Sequence, residues 1–83
     1  MRFYYYRATK KINKTALVEF LEKEARRHKD ITIKVCEVGS IVYFWASKKG
    51  LLKKVDELYP NVFINSEPPL LKGNILFTNS KDI

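Results

Sequence analysis

Residues 31–46 read ITIKVCEVGSIVYFWA, and this stretch decides the fold. Apolar and polar side chains alternate on both sides of Gly39-Ser40, a pair suited to a two-residue hairpin turn with glycine first. The turn fixes which residues lie opposite one another. The predicted pairs are Val38 with Ile41, Cys36 with Tyr43, and Lys34 with Trp45. One face of this hairpin is apolar and suited to a core, and its members are Ile33, Val35, Val42, Phe44 and Ala46.

The segments around the hairpin predict the remainder of an α+β domain. β-prone aromatic residues indicate a strand, and apolar residues at three- and four-residue spacing indicate a helix. Asn13 or Thr15 is suited to cap the first helix, and Ser47 the second. The predicted elements are a strand at 2–7, a helix to about Lys29, the hairpin, a second helix that ends before Pro60, and a short strand at 62–64.

The order β-α-β-β-α-β predicts the ferredoxin-like split β-α-β sandwich, an antiparallel sheet with two helices on one face. Residues 1–66 would form this domain. Residues 67–83 would form a C-terminal extension that packs on the same domain, and its apolar stretch at 70–77 is able to add a strand.

The face of the sheet that the helices leave open is predicted to be aromatic. Phe3 lacks a hydroxyl group and is the better core candidate, so Tyr5 is expected beside it in the core; the opposite alternation would also bury two aromatic side chains. The open face would then carry Tyr4, Tyr6, Lys34, Tyr43 and Trp45. Three explanations remain for such a face: it stacks on unpaired bases, it forms a homodimer or partner interface, or the protein's own tail covers it.

Net charge is the second informative feature. The chain carries 16 Lys and Arg against 9 acidic residues, a net charge of +7. The whole excess lies in residues 1–14 and 48–60. We expect the first and third strands of this fold to be parallel, so that the loops that follow them meet at one edge, near the N-termini of both helices, which attract anions. This basic edge would consist of Arg7, Lys10, Lys11, Lys14, Lys48 and Lys49.

The charge has an alternative explanation. The chain contains no Gln and is rich in Lys and Ile, a usage that fits a thermophilic source, in which surface lysines need no function. A lone cysteine, Cys36, favours a reducing compartment, and the cytoplasm is the simplest location. We expect no membrane insertion, because no apolar run approaches the ~20 residues that a span requires.

No catalytic constellation can be built from this sequence, so an enzyme is not expected. His28 and Cys36 are single, which is too few for a metal site, and the three glycines are too widely spaced for a phosphate loop. We therefore predict no cofactor, no metal and no small-molecule substrate.

The leading hypothesis is a small non-enzymatic binding module that binds DNA, RNA or another polyanion through the basic edge. The alternative is a protein–protein or self-association module that uses the aromatic open face.

Overall fold

The elements of the chain follow the predicted order, with one strand added. The computed structural model describes residues 3–80. Arg2, predicted to begin the first strand, lies outside them. The elements are β1 (Tyr4–Ala8), α1 (Lys14–Arg27), β2 (Ile33–Val38), β3 (Ile41–Ala46), α2 (Gly50–Leu58), β4 (Phe63–Asn65) and β5 (Asn74–Thr78).

The hairpin of β2 and β3 has the register that its turn predicts. Val38 pairs with Ile41, and Lys34 pairs with Trp45. Gly39 has a φ of 63°, a left-handed conformation that glycine adopts without steric cost. The five residues predicted to face the core are all buried, and they pack in one cluster with Leu17 and Leu21 of α1 and Leu51 and Val55 of α2.

The caps of the two helices differ from each other. Asn13 caps α1 as predicted, because its side chain accepts a hydrogen bond from the Ala16 N–H at 3.1 Å. Ser47 does not cap α2, and the N-cap position belongs to Lys49. The Ser47 hydroxyl oxygen instead accepts a hydrogen bond from the Thr32 N–H at 2.9 Å. This bond ties the end of β3 to the segment before β2.

The face assignment of β1 was wrong. Tyr6 is buried opposite Phe44, at 5.0 Å between ring centroids, so Tyr4 and Tyr6 face the helices. Tyr5 lies opposite Trp45 on the open face. Directly opposed residues of an antiparallel pair share a face, so the register with β3 determines which residues of β1 face the helices. The Tyr6 hydroxyl was no obstacle to burial, although desolvation raises the pKa of this phenol above its usual value.

The sheet is antiparallel throughout and has the order β4-β1-β3-β2-β5. The C-terminal extension does add a strand, because β5 pairs with β2. Residues 3–80 thus form a small α+β structure with a five-stranded open sheet and two helices. It is compatible with the predicted ferredoxin-like class, although the five-strand count and the resulting order are not strictly those of that fold.

Candidate functional site

Residues 66–73, which we call the strap, connect the two edges of the sheet. β4 lies at one edge and β5 at the other, so the strap has to cross the sheet to join them. It crosses the open face, where Pro68, Pro69 and Leu71 lie over Tyr5 and Trp45. Of the three explanations for the aromatic face, cover by the tail is therefore the one that applies to Trp45, which is only 8% exposed.

The strap does not fill the space beneath it. A partly open cavity of about 250 Å³ remains between the strap and the sheet. Its floor is the Tyr5–Trp45 pair, whose ring centroids are 5.2 Å apart at an interplanar angle of 34°. Lys34 Nζ lies 4.8 Å from the Trp45 ring centroid, within range of a cation–π interaction. Cys36 also lines the cavity, and burial raises the pKa of its thiol, which keeps it protonated at neutral pH.

Gly73 fixes the end of the strap against β2. A Cβ at this position would overlap the Glu37 carbonyl oxygen and come within 2.7 Å of Val38 Cγ2. Backbone cannot move away as a flexible side chain can, so only glycine allows this approach. This close approach fixes the distance between the strap and β2 at the point where the strap leads into β5.

Gly73→Ala should therefore destabilise the protein by about 1–3 kcal/mol, the usual cost of forced overpacking. Urea unfolding would measure the change. Gly50→Ala is the matched control, because a Cβ there meets nothing within 4 Å and Gly50 opens α2. We expect the control to stabilise the protein by up to about 1 kcal/mol through higher helix propensity. Equal effects of the two substitutions would show that the strap does not approach β2 as described.

A second site lies at the end of the sheet where the hairpin turns. Arg7, Lys10 and Lys11 line a cleft of about 250 Å³ together with Ser40 and Ile41, and we call this set the basic cleft. Among residues 3–80, no carboxylate lies within ion-pair distance of its three cations. Their charge is therefore available to a ligand.

Lys14 and Glu37 lie near this end but neutralise each other. Lys14 Nζ is 2.9 Å from Glu37 Oε1 and also bonds the second carboxylate oxygen at 3.1 Å. Lys14, a predicted member of the anion site, is thus committed to an internal ion pair. An exposed pair of this kind contributes little to stability, about 0–1 kcal/mol.

The basic edge predicted from both loops does not form. β1 and β3 are antiparallel, so the loops that follow them leave the sheet at opposite ends. Lys48 and Lys49 lie at the far end from the basic cleft. There Lys48 Nζ is 3.8 Å from Asp30 Oδ2, and Lys49 Nζ lies 5.4 Å from the Tyr4 ring centroid. The expectation failed because it gave two adjacent strands of an antiparallel sheet the same direction.

The open face between the two sites is not covered by the strap. Tyr43 is half-buried there and lies opposite Arg7 on β1 and Cys36 on β2. Ile64 of β4 lies on the other side of Arg7 and is exposed. An aromatic ring and an apolar side chain thus border the basic cleft. Of the predicted stacking residues, Lys34, Tyr43 and Trp45 are on the open face, and Tyr4 and Tyr6 are not.

Sequence reasoning missed Tyr5 and the prolines of the strap as site residues. The sequence of β1 contains no decisive signal for Tyr5, because either alternation buries two aromatic rings and only the register with β3 selects one. The strap prolines have no signal either, because their position depends on which edge of the sheet β5 joins.

Within residues 3–80, no helix is both long enough and apolar enough to cross a membrane. The same residues contain no group of three His, Cys, Asp or Glu side chains placed to hold a metal ion. In comparisons with known proteins, no family model, no curated protein and no solved structure matches this chain significantly.

Proposed function

We propose that this domain is a binding module, not an enzyme, and that it binds nucleic acid at the basic cleft. The observation that carries the proposal is the unpaired state of Arg7, Lys10 and Lys11 within residues 3–80, on one cleft. Phosphate groups satisfy such cations, and the release of counterions drives the association. The domain would be a ferredoxin-like unit to which β5 has been added.

The surroundings of the cleft favour nucleic acid over a purely anionic polymer. Tyr43 lies next to Arg7, and Ile41 lines the cleft with 38% of its surface exposed. A sulfated sugar would use the cations and leave these apolar surfaces in water. A nucleotide chain offers phosphates to the cations and base faces to the aromatic ring.

The chain's other basic stretch supports the same location. Lys48 pairs with Asp30, Lys49 rests on Tyr4, and Lys54 Nζ lies 3.2 Å from Glu24 Oε2. These cations already have partners within the domain. Lys53 of this stretch has no carboxylate in ion-pair distance among residues 3–80, but it lies alone on α2, whereas Arg7, Lys10 and Lys11 line one cleft.

Fluorescence anisotropy of a labelled oligothymidylate would test the proposal. Three phosphate contacts on a single strand predict a slope of about −2 for log K against log salt concentration. Binding should therefore weaken roughly fifteen-fold between about 50 and 200 mM salt. Absence of binding at low salt, or binding that salt leaves unchanged, would refute nucleic-acid recognition by this cleft.

Self-association through β5 is a second candidate function. The outer edge of β5 is free of charged residues, and Ile75 is 53% exposed on it. Leu70 and Leu71 of the strap are 101% and 73% exposed. An uncharged edge strand flanked by exposed leucines is a template for pairing with another strand.

Size-exclusion chromatography with light scattering would measure the oligomeric state and so test self-association through β5. A dimer that Leu71→Ser and Ile75→Thr together convert to a monomer would support pairing through β5. A wild-type protein that stays monomeric up to high concentration would rule it out.

A further inference from the structure

The residues that line the cavity under the strap favour one class of ligand. The Tyr5–Trp45 pair gives the cavity an aromatic floor whose two rings are inclined at 34°, and Pro68 and Pro69 contribute to its roof. Lys34 and Lys72 are the charged residues in its lining, which includes no Asp or Glu from residues 3–80. Two ammonium groups without a carboxylate disfavour a cationic guest. A flat aromatic group attached to an anion fits both features.

The size of the cavity restricts the guest further. Its volume of about 250 Å³ lies just below the range of about 300–1,000 Å³ typical of sites for drug-sized molecules. It has room for one small ring system and not for a stacked pair. The fixed φ of the two prolines favours an extended backbone in the part of the strap that lies above the floor.

The cavity adjoins the basic cleft. Tyr5 and Arg7 are two residues apart on β1 and share the open face, so they are separated by about 6.6–6.8 Å along the strand. Trp45 and Tyr43 have the same relationship on β3. A chain whose phosphates lie on the cleft would therefore bring its neighbouring groups to the mouth of the cavity.

We propose that the cavity under the strap accepts one unpaired nucleobase of a strand whose phosphates lie on Arg7, Lys10 and Lys11. The inference rests on the proposed function and deepens it, because it names single-stranded nucleic acid as the ligand class. A base within a duplex cannot enter, since its edges are paired and its faces stacked. The base lies on the Tyr5–Trp45 floor, and Lys34, whose Nζ lies over the Trp45 ring at 4.8 Å in the free protein, turns to the phosphate that follows the base.

The fluorescence of Trp45, the only tryptophan of the chain, reports directly on this cavity. The ligands to compare are an oligothymidylate, a duplex of equal length, and an equal-length single strand of abasic residues. We expect the oligothymidylate to quench Trp45 emission and to bind about fivefold to a hundredfold more tightly than the abasic strand, the effect of stacking one base. The duplex should bind without quenching.

Each outcome separates the two proposals. If the abasic strand binds as tightly as the oligothymidylate and Trp45 emission stays constant, the base site is wrong and the basic cleft stands. If no strand binds, both are wrong. Quenching by the duplex as strong as by the single strand would also overturn the base site.

Two variants test whether the preference for oligothymidylate over the abasic strand arises in this cavity. Tyr5→Leu removes half of the aromatic floor, and Tyr4→Leu makes the same change one residue away on the opposite face of β1. Circular dichroism would verify that both variants are folded. Tyr5→Leu should reduce the preference for oligothymidylate over the abasic strand at least threefold, and Tyr4→Leu should leave that preference unchanged. Equal preferences in the two variants would contradict the assignment of the base to this cavity.

Discussion

Phe44→Ala is expected to lower the free energy of unfolding by about 3–5 kcal/mol, a larger loss of stability than Gly73→Ala should cause. Phe44 is fully buried at the centre of the sheet. Its ring lies 5.0 Å from that of Tyr6 and 4.9 Å, edge-on, from that of Phe63. Removing it leaves a cavity among residues of three strands, which a rigid sheet cannot close. Because small domains are stable by only about 5–15 kcal/mol, much of the total would be lost.

Tyr43→Ala is the matched control for this substitution. Tyr43 is the adjacent residue of β3 and lies on the open face, half-buried. Its truncation should cost roughly 1 kcal/mol, because it removes cross-strand contacts without opening a core cavity. Urea unfolding of both variants would measure the difference. Similar losses of unfolding free energy in the two variants would contradict the assignment of the two faces of β3.

Neutralising the basic cleft should have the largest effect on binding. The variant Arg7→Gln, Lys10→Gln, Lys11→Gln removes the cations that lack a carboxylate partner at the hairpin end. At low salt we expect it to bind oligothymidylate roughly 100-fold more weakly than the wild type. Its slope of log K against log salt concentration should be shallower by about 2.

A second triple variant controls for the loss of net charge. Lys23, Lys29 and Lys53 are also exposed, and within residues 3–80 they too have no carboxylate in ion-pair distance. They lie on the helices or just after α1. Replacing all three by Gln lowers the net charge equally and should weaken binding severalfold at most. If this variant loses as much affinity as the first, the binding depends on total charge, and the basic cleft is not the site.

The parts of the fold that depend on local pairing could be predicted from the sequence. Gly39-Ser40 fixes the register of β2 and β3, and the period of the pattern then assigns Val35 and Phe44 to the core. The cap at Asn13 follows from the same kind of short-range chemistry. In each case the partners are close in the chain or linked by a tight turn.

The parts of the fold that depend on pairing between segments distant in the sequence could not be predicted from local patterns. Both alternations of β1 bury two aromatic rings, and only its register with β3 places Tyr6 in the core and Tyr5 on the open face. The path of the strap depends on β5 choosing the edge next to β2. The cavity under the strap could not be predicted for both of these reasons, because Tyr5 and the strap form it. Arg7, Lys10, Lys11 and Lys14 were predicted to form one basic edge with Lys48 and Lys49, but the antiparallel pairing of β1 and β3 places Lys48 and Lys49 at the other end of the sheet.

The most direct test of the account is to map the surface that nucleic acid touches. Amide chemical shifts of the ¹⁵N-labelled protein would be followed as oligothymidylate is added at low salt. We predict that the perturbed amides cluster at residues 7–11 and 39–43, with a shift of the Trp45 indole N–H as the base enters the cavity. Perturbations centred on residues 48–54, or spread over both helices with residues 7–11 unchanged, would contradict nucleic-acid binding at the hairpin end of the sheet.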